Sequence, residues 1–146
     1  MHAIKWGEVR WAGMAEDRNK TGILLFAHGS RVEEANRGVH DLARKVQEAG
    51  EVSYVRAAFL EMARPDLAAA IAEAVRAGYE RIVVIPYFLT LGIHLRRDFP
   101  ELLARERRLY PAIEIEAGAP LEGHPLLPAL ILDQIRAFRQ TPKAAS

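Results

Sequence analysis

The stretch Gly22-Ile23-Leu24-Leu25-Phe26-Ala27-His28-Gly29-Ser30-Arg31-Val32-Glu33 decides how this chain folds. Ile23 to Ala27 is an unbroken apolar run with none of the alternation of a half-exposed strand, so it reads as a strand buried on both faces. Directly behind it, Ser30-Arg31-Val32-Glu33 has the S-x-x-E spacing of a capping box and predicts a helix beginning at Ser30. Val32, Ala35, Val39, Leu42, Ala43 and Val46 follow a helical period, and Gly50 ends it. A buried strand feeding an amphipathic helix is the opening half of a parallel βαβ unit.

The same alternation continues outward. Val52 to Leu60 reads as a second strand. Pro65 suits the first turn of a second helix, which carries Leu67, Ile71, Ala74 and Val75 and stops at Gly78. Ile82 to Ile85 is another buried strand, closed by Pro86. Asp98-Phe99-Pro100-Glu101 predicts the start of a third helix, ending near Tyr110-Pro111. Ile113 and Ile115 mark a short fourth strand, and Pro125 opens a last helix bearing Leu127, Leu130, Ile131, Ile135 and Phe138. The expected class is α/β, a three-layer, four-stranded parallel sheet flanked by helices with flavodoxin-like strand order. No repeat or linker divides it. We expect one domain over residues 22–139, an N-terminal arm over 1–21 and a C-terminal tail over 140–146.

Composition narrows the chemistry. The 146 residues include no cysteine, which excludes disulfides, thiolate nucleophiles, iron–sulfur clusters and zinc-finger frameworks. A metal would have to be held by carboxylate or by one of five histidines, His2, His28, His40, His94 and His124. A net charge of +1 gives no basic stripe for nucleic acid. Neither a signal peptide nor a membrane span is expected, so the predicted location is cytoplasmic. Of the 20 cationic side chains, only Lys5, Lys20, Lys45 and Lys143 are lysine; the rest are arginine, which suits bidentate carboxylate binding.

Ligands of open α/β sheets bind at the carboxyl ends of the strands, where strand order reverses. His28 follows the first strand, and His94 lies in the loop after the third. With flavodoxin-like order these strands are neighbours, about 4.8 Å apart, so the two imidazoles reach one sheet edge and could share a divalent cation. A lone histidine behind a strand is more often a capping residue, and it is the convergence of two that raises the metal reading. Glu61 ends the second strand and should reach the same rim. Arg31, Arg64, Arg96 and Arg97 each follow a strand-to-helix turn and could form a cationic rim for an acidic ligand. The Gly29-Ser30 turn could also cradle a phosphate, though it lacks the usual glycine spacing. His40 falls on the polar side of its helix, and His124 is placed to cap a helix or line the rim.

Several segments carry a family resemblance. Leu25-Phe26-Ala27-His28-Gly29-Ser30-Arg31, then Ala35-Asn36, then Pro86-Tyr87-Phe88-Leu89 leading to Gly92-Ile93-His94 and Asp98, resemble the class II chelatases in their short, single-domain form. Pro120-Leu121 and Gly123-His124-Pro125 are similar to the segment before that family's last helix. The resemblance covers roughly residues 22–139. It implies insertion of a divalent cation, Co2+ favoured with Ni2+ or Fe2+ as alternatives, into sirohydrochlorin or a related tetrapyrrole, with no organic cofactor. It assigns the metal to His28 and His94 and implies a homodimer. Glu61 and a freed histidine are candidate proton acceptors. Arg31, Arg64, Arg96, Arg97 and Ser30 are candidates for contact with the substrate's carboxylates. A non-catalytic metal or tetrapyrrole carrier on the same fold is the alternative expectation.

Overall fold

The computed structural model describes residues 19–141. Four strands, β1 (Thr21–Ala27), β2 (Val55–Phe59), β3 (Arg81–Pro86) and β4 (Glu114–Ala117), alternate with four helices, α1 (Glu33–Glu48), α2 (Leu67–Arg76), α3 (Ile93–Leu109) and α4 (Leu127–Gln140). All strand pairs are parallel, in the order β2-β1-β3-β4. Every residue of β1 is buried, as its continuous apolar run requires of a central strand. Thr21 is its first residue and is fully buried, so the ordered domain takes in a position assigned above to the arm. The readings that concern His2 and the arm through residue 18, and most of the C-terminal tail, lie outside the described residues.

Side chains of β1 and β3 alternate between two cores. Leu24, Phe26, Ile82 and Val84 point to the face covered by α2 and α3, where they meet Leu67, Ile71, Phe99 and Leu103. Phe26 and Phe99 stack with ring centroids 5.4 Å apart. Ile23, Leu25 and Val83 point to the opposite face, against Ala43 and Leu42 of α1. Arg81 ties the outer strand β4 to β3 through Glu116 at 2.7 Å.

The starts of α1, α2 and α3 differ from the sequence reading. Helix α1 begins at Glu33, not Ser30, with Val32 as its N-cap and no side-chain cap. The capping box does not form because Ser30 is held elsewhere. Its N–H donates to Asn36 Oδ1 at 2.9 Å, its carbonyl accepts from Asn36 Nδ2 at 2.8 Å, and its Oγ accepts from Val32 N–H at 3.0 Å. Helix α3 begins at Ile93 and runs through Pro100. Proline inside a helix costs about 3 kcal/mol; here Leu95, Phe99 and Leu103 recur at four-residue spacing and enter the core, and that burial offsets the lost hydrogen bond. Asp66, not Pro65, opens α2: its carboxylate accepts from Ala69 N–H at 2.8 Å.

A larger departure concerns α4. It forms where expected, but it buries none of its residues, and Leu130, Ile131, Ile135 and Phe138 remain exposed.

Candidate active site

Beyond their last paired residues, β1 and β2 continue side by side for two more backbone bonds. Leu60 N–H donates to Ala27 O at 2.8 Å, and Glu61 N–H donates to His28 O at 3.0 Å. This brings the Glu61 side chain to His28, with Oε1 3.4 Å from Nε2. The approach depends on Gly29, which has φ +90; a Cβ there would collide with the Glu61 carbonyl oxygen. Met62 takes up the turn on the other side with φ 63, a left-handed conformation uncommon for a side-chain-bearing residue.

A backbone carbonyl orients the His28 ring. Its Nδ1 lies 3.1 Å from the carbonyl oxygen of Gly29, which can only accept, so Nδ1 carries the proton. In the neutral ring Nε2 then presents a lone pair to a carboxylate, two acceptors face to face. That arrangement is satisfied by a shared proton or by a cation between them. At 3.4 Å the two atoms are close enough that His28 and Glu61 would hold one cation together.

His94 is held differently. It sits in the first turn of α3, not in a free loop, and is exposed. Arg97 Nη2 lies 3.5 Å from its Nδ1, and a guanidinium can only donate. Nδ1 of His94 is the accepting side of this long contact, and Arg97 has to yield before that nitrogen can present its lone pair to a cation. Among the described residues no three His, Asp or Glu side chains come together as a metal cluster. The expected partners thus divide into a close pair, His28 and Glu61, and a separate imidazole on the first turn of α3.

The four arginines also divide. Arg31 and Arg64 are exposed and make no ion pair among the described residues. Arg97 pairs with Asp98 at 3.3 Å. Arg96 is committed to the scaffold: it donates to Leu91 O at 3.1 Å and to Glu122 Oε2 at 2.6 Å, which ties the start of α3 to the loop after β4. Of the remaining histidines, His40 is exposed with its ring edge against Phe59, and His124 accepts from Leu126 N–H at 3.0 Å, capping the approach to α4. Asn36 plays a part the residue pattern alone did not assign. It is a buried polar side chain on the α1 face that carries Val39 and Ala43, and it fixes the turn behind His28. An asparagine on an apolar stripe is the signal that marks it.

An open cavity of about 840 Å3 adjoins the pair, lined by Glu61, Met62, Arg64, Asp66 and Glu73. A second, of about 340 Å3, lies between Leu91, Arg96, Glu122 and His124.

Residues 22–138 match the family model described as CbiX. The chain belongs to the CbiX family. This CbiX chain is 28% identical over 134 residues to a sirohydrochlorin cobaltochelatase of Methanopyrus kandleri, covering 78% of its own length and 94% of the relative. It is 33% identical over 115 residues to a chloroplastic sirohydrochlorin ferrochelatase of Arabidopsis thaliana, covering 79% of itself but 51% of that longer protein. Its fold is similar to that of the sirohydrochlorin chelatase SirB from Bacillus subtilis subspecies spizizenii in complex with cobalt. The TM-score is 0.73 and the identity 26%, over 81% of this chain and 50% of the other. These agree with the three-layer α/β architecture read from the sequence.

Proposed function

We propose that this CbiX chain is a chelatase that inserts a divalent cation into sirohydrochlorin or a closely related tetrapyrrole. The observation that carries the chemistry is the His28–Glu61 pair, with one imidazole nitrogen tied to a carbonyl and the other turned to a carboxylate at 3.4 Å. Insertion needs no nucleophile. It needs ligands that strip water from a cation and then release it to four pyrrole nitrogens, while two N–H protons leave the macrocycle. Loss of two protons on arrival of a 2+ ion leaves the charge of the ring core unchanged.

In this reading Nε2 of His28 and Oε1 of Glu61 hold the arriving cation, and His94 joins once Arg97 turns from Nδ1. A single imidazole and a carboxylate bind Co2+, Ni2+ or Fe2+ loosely enough for transfer, as borderline N/O donors do. When the metal passes to the ring, Glu61 and the freed imidazole are bases within reach of the departing protons. Arg31, Arg64 and Arg97 are the cationic side chains offered to the substrate's carboxylates, with Ser30 beside them. Arg96 supports that rim from within through Glu122. Co2+ as preferred metal, assembly as a homodimer and a cytoplasmic location belong to the same proposal; the cobaltochelatase relatives support the first and the family resemblance the second, while the third rests on the sequence expectation alone.

The test is a metal-insertion assay that follows the absorbance of sirohydrochlorin with Co2+, Ni2+ and Fe2+ in parallel. The wild type accelerates insertion over buffer, and His28→Ala and His94→Ala reduce it to the buffer rate. Unchanged rates in both variants overturn the assigned metal roles. Tight Co2+ binding without acceleration identifies a carrier.

A further inference from the structure

His124 carries one nitrogen that its place in the fold does not use. Its Nδ1 accepts from the backbone N–H of Leu126 at 3.0 Å, and an amide N–H can only donate, so Nε2 is the ring's donor. Nε2 makes no bond among the described residues, and the residue is exposed. An Asn or Asp at this position closes the same turn with fewer atoms. What histidine adds is the second nitrogen. The ring lines the cavity of about 340 Å3 that also touches Leu91, Arg96, Glu122 and Pro125. Arg96 is held there by two bonds, from Nε to Leu91 O at 3.1 Å and from Nη2 to Glu122 Oε2 at 2.6 Å. Its Nη1 makes no bond among the described residues and keeps its N–H donors. The cavity thus brings together an imidazole N–H and a fixed guanidinium, while its carboxylate, Glu122, is already paired.

We propose that this cavity receives one carboxylate arm of the tetrapyrrole, with His124 Nε2–H and the N–H groups of Arg96 Nη1 as its donors. The inference rests on the chelatase reading above and adds to it a specificity-determining residue, His124. Size favours an arm over a whole ligand. The cavity lies at the small end of the roughly 300–1,000 Å3 of ligand pockets, enough for a carboxylate arm but not for a macrocycle. Charge favours an anion here over the larger cavity beside His28, which is lined by Glu61, Asp66 and Glu73 against a single arginine, Arg64. Position brings the arm within reach. Gly118 N–H donates to Val84 O at 2.8 Å, so the chain leaves β4 along the end of β3, at the sheet edge that also carries His94. In the order β2-β1-β3-β4, β1 and β4 are two strand spacings apart, about 10 Å. That is comparable with the distance from the centre of a tetrapyrrole to the end of one arm. A ring whose nitrogens face the metal ligands therefore rests one arm against His124.

Two substitutions separate the donor from the cap. His124→Asn puts an amide oxygen where Nδ1 stood, so it keeps the bond from Leu126 N–H and removes Nε2–H. His124→Gln carries an amide N–H out to the Nε2 position and gives up the cap. Fluorescence titration of the full chain with metal-free sirohydrochlorin reads Kd, whether or not insertion is accelerated. The absorbance change on adding Co2+ reads KM and kcat. His124→Asn is expected to raise Kd and KM at least about 10-fold, the loss of one hydrogen bond to a charged group, with the effect in KM and not in kcat. Its melting temperature should match the wild type, because the cap is kept. His124→Gln is expected to recover most of the affinity despite losing the cap. A loss of affinity in His124→Asn no larger than in His124→Gln, or a loss confined to kcat, overturns the assignment and leaves the chelatase reading standing. A wild type that neither binds nor metallates sirohydrochlorin overturns the chelatase reading and this inference together.

Discussion

The turns behind β1 and β3 occupy equivalent places at the switch point of the sheet, and each delivers one histidine, yet they are built to different tolerances. The first is over-determined. Gly29 admits the Glu61 carbonyl, Asn36 clamps both backbone groups of Ser30, and the His28 ring is fixed at Nδ1 by a carbonyl. The second is open. Gly92 caps α3 with no atom within contact distance of where a Cβ would stand, and His94 projects beside a cationic side chain on its own helix. The contrast teaches that similar topology does not imply similar readiness. The first turn presents a lone pair already aimed at a carboxylate, and the second must rearrange first.

Substituting the two glycines breaks the comparison most sharply. Gly29→Ala forces a Cβ into the Glu61 carbonyl at a left-handed φ, and should cost at least about 3 kcal/mol and remove activity. Gly92→Ala meets nothing and should stay within about 1 kcal/mol of wild type. Urea unfolding of both reads the difference; equal losses would show that the first turn is no more constrained than the second.

Next in size is the effect on the cation. Glu61→Ala should weaken Co2+ binding about 10- to 100-fold, measured by calorimetry, with the melting temperature little changed because the side chain is exposed. Arg97→Gln should instead tighten Co2+ binding by a few-fold, since it releases Nδ1 of His94, while raising KM for the tetrapyrrole. A loss of Co2+ affinity in Arg97→Gln would place His94 and Arg97 in a different relation. Glu122→Gln, which loosens Arg96, should lower turnover several-fold through the placement of α3 and leave Co2+ binding at His28 intact.

The smallest effect lies away from both turns. Glu106 of α3 is buried beside Arg105, and burial raises its carboxyl above the ordinary range; Arg105 partly opposes this and Asp66 adds to it. A raised acid favours the fold most when it is protonated in both states, below the unfolded value of 4.5. That contribution is lost as pH rises through the folded pKa. Glu106→Gln should therefore raise the melting temperature at pH 7 by a few degrees and by much less near pH 4. A gain independent of pH would point to packing instead of charge.

Much of this was legible in the chain. The buried runs at β1 and β3 identified central strands, and His28, Glu61 and His94 were placed on one edge by counting from strand ends. The misplaced helix starts have a common cause: the local signals were real but outweighed. Ser30 and Glu33 have capping spacing, yet Asn36 competes for Ser30 and wins with two hydrogen bonds. Pro100 reads as a helix start, yet Leu95, Phe99 and Leu103 carry the helix through it. Arg96 has the same sequence context as Arg97, and only the loop after β4 distinguishes them by supplying Glu122.

By itself, then, the sequence determined what repeats locally: the strand and helix periods, the order of elements, the absence of thiol chemistry, and which histidines follow which strands. Tertiary structure alone decided which polar groups meet. It set Glu61 against His28 and Arg97 against His94, committed Arg96 to the scaffold, and left α4 with an uncovered apolar face. The reason is physical. Periodicity is written into neighbours along the chain, whereas a hydrogen bond or an ion pair between distant residues is chosen by the distances that strand register and helix packing impose.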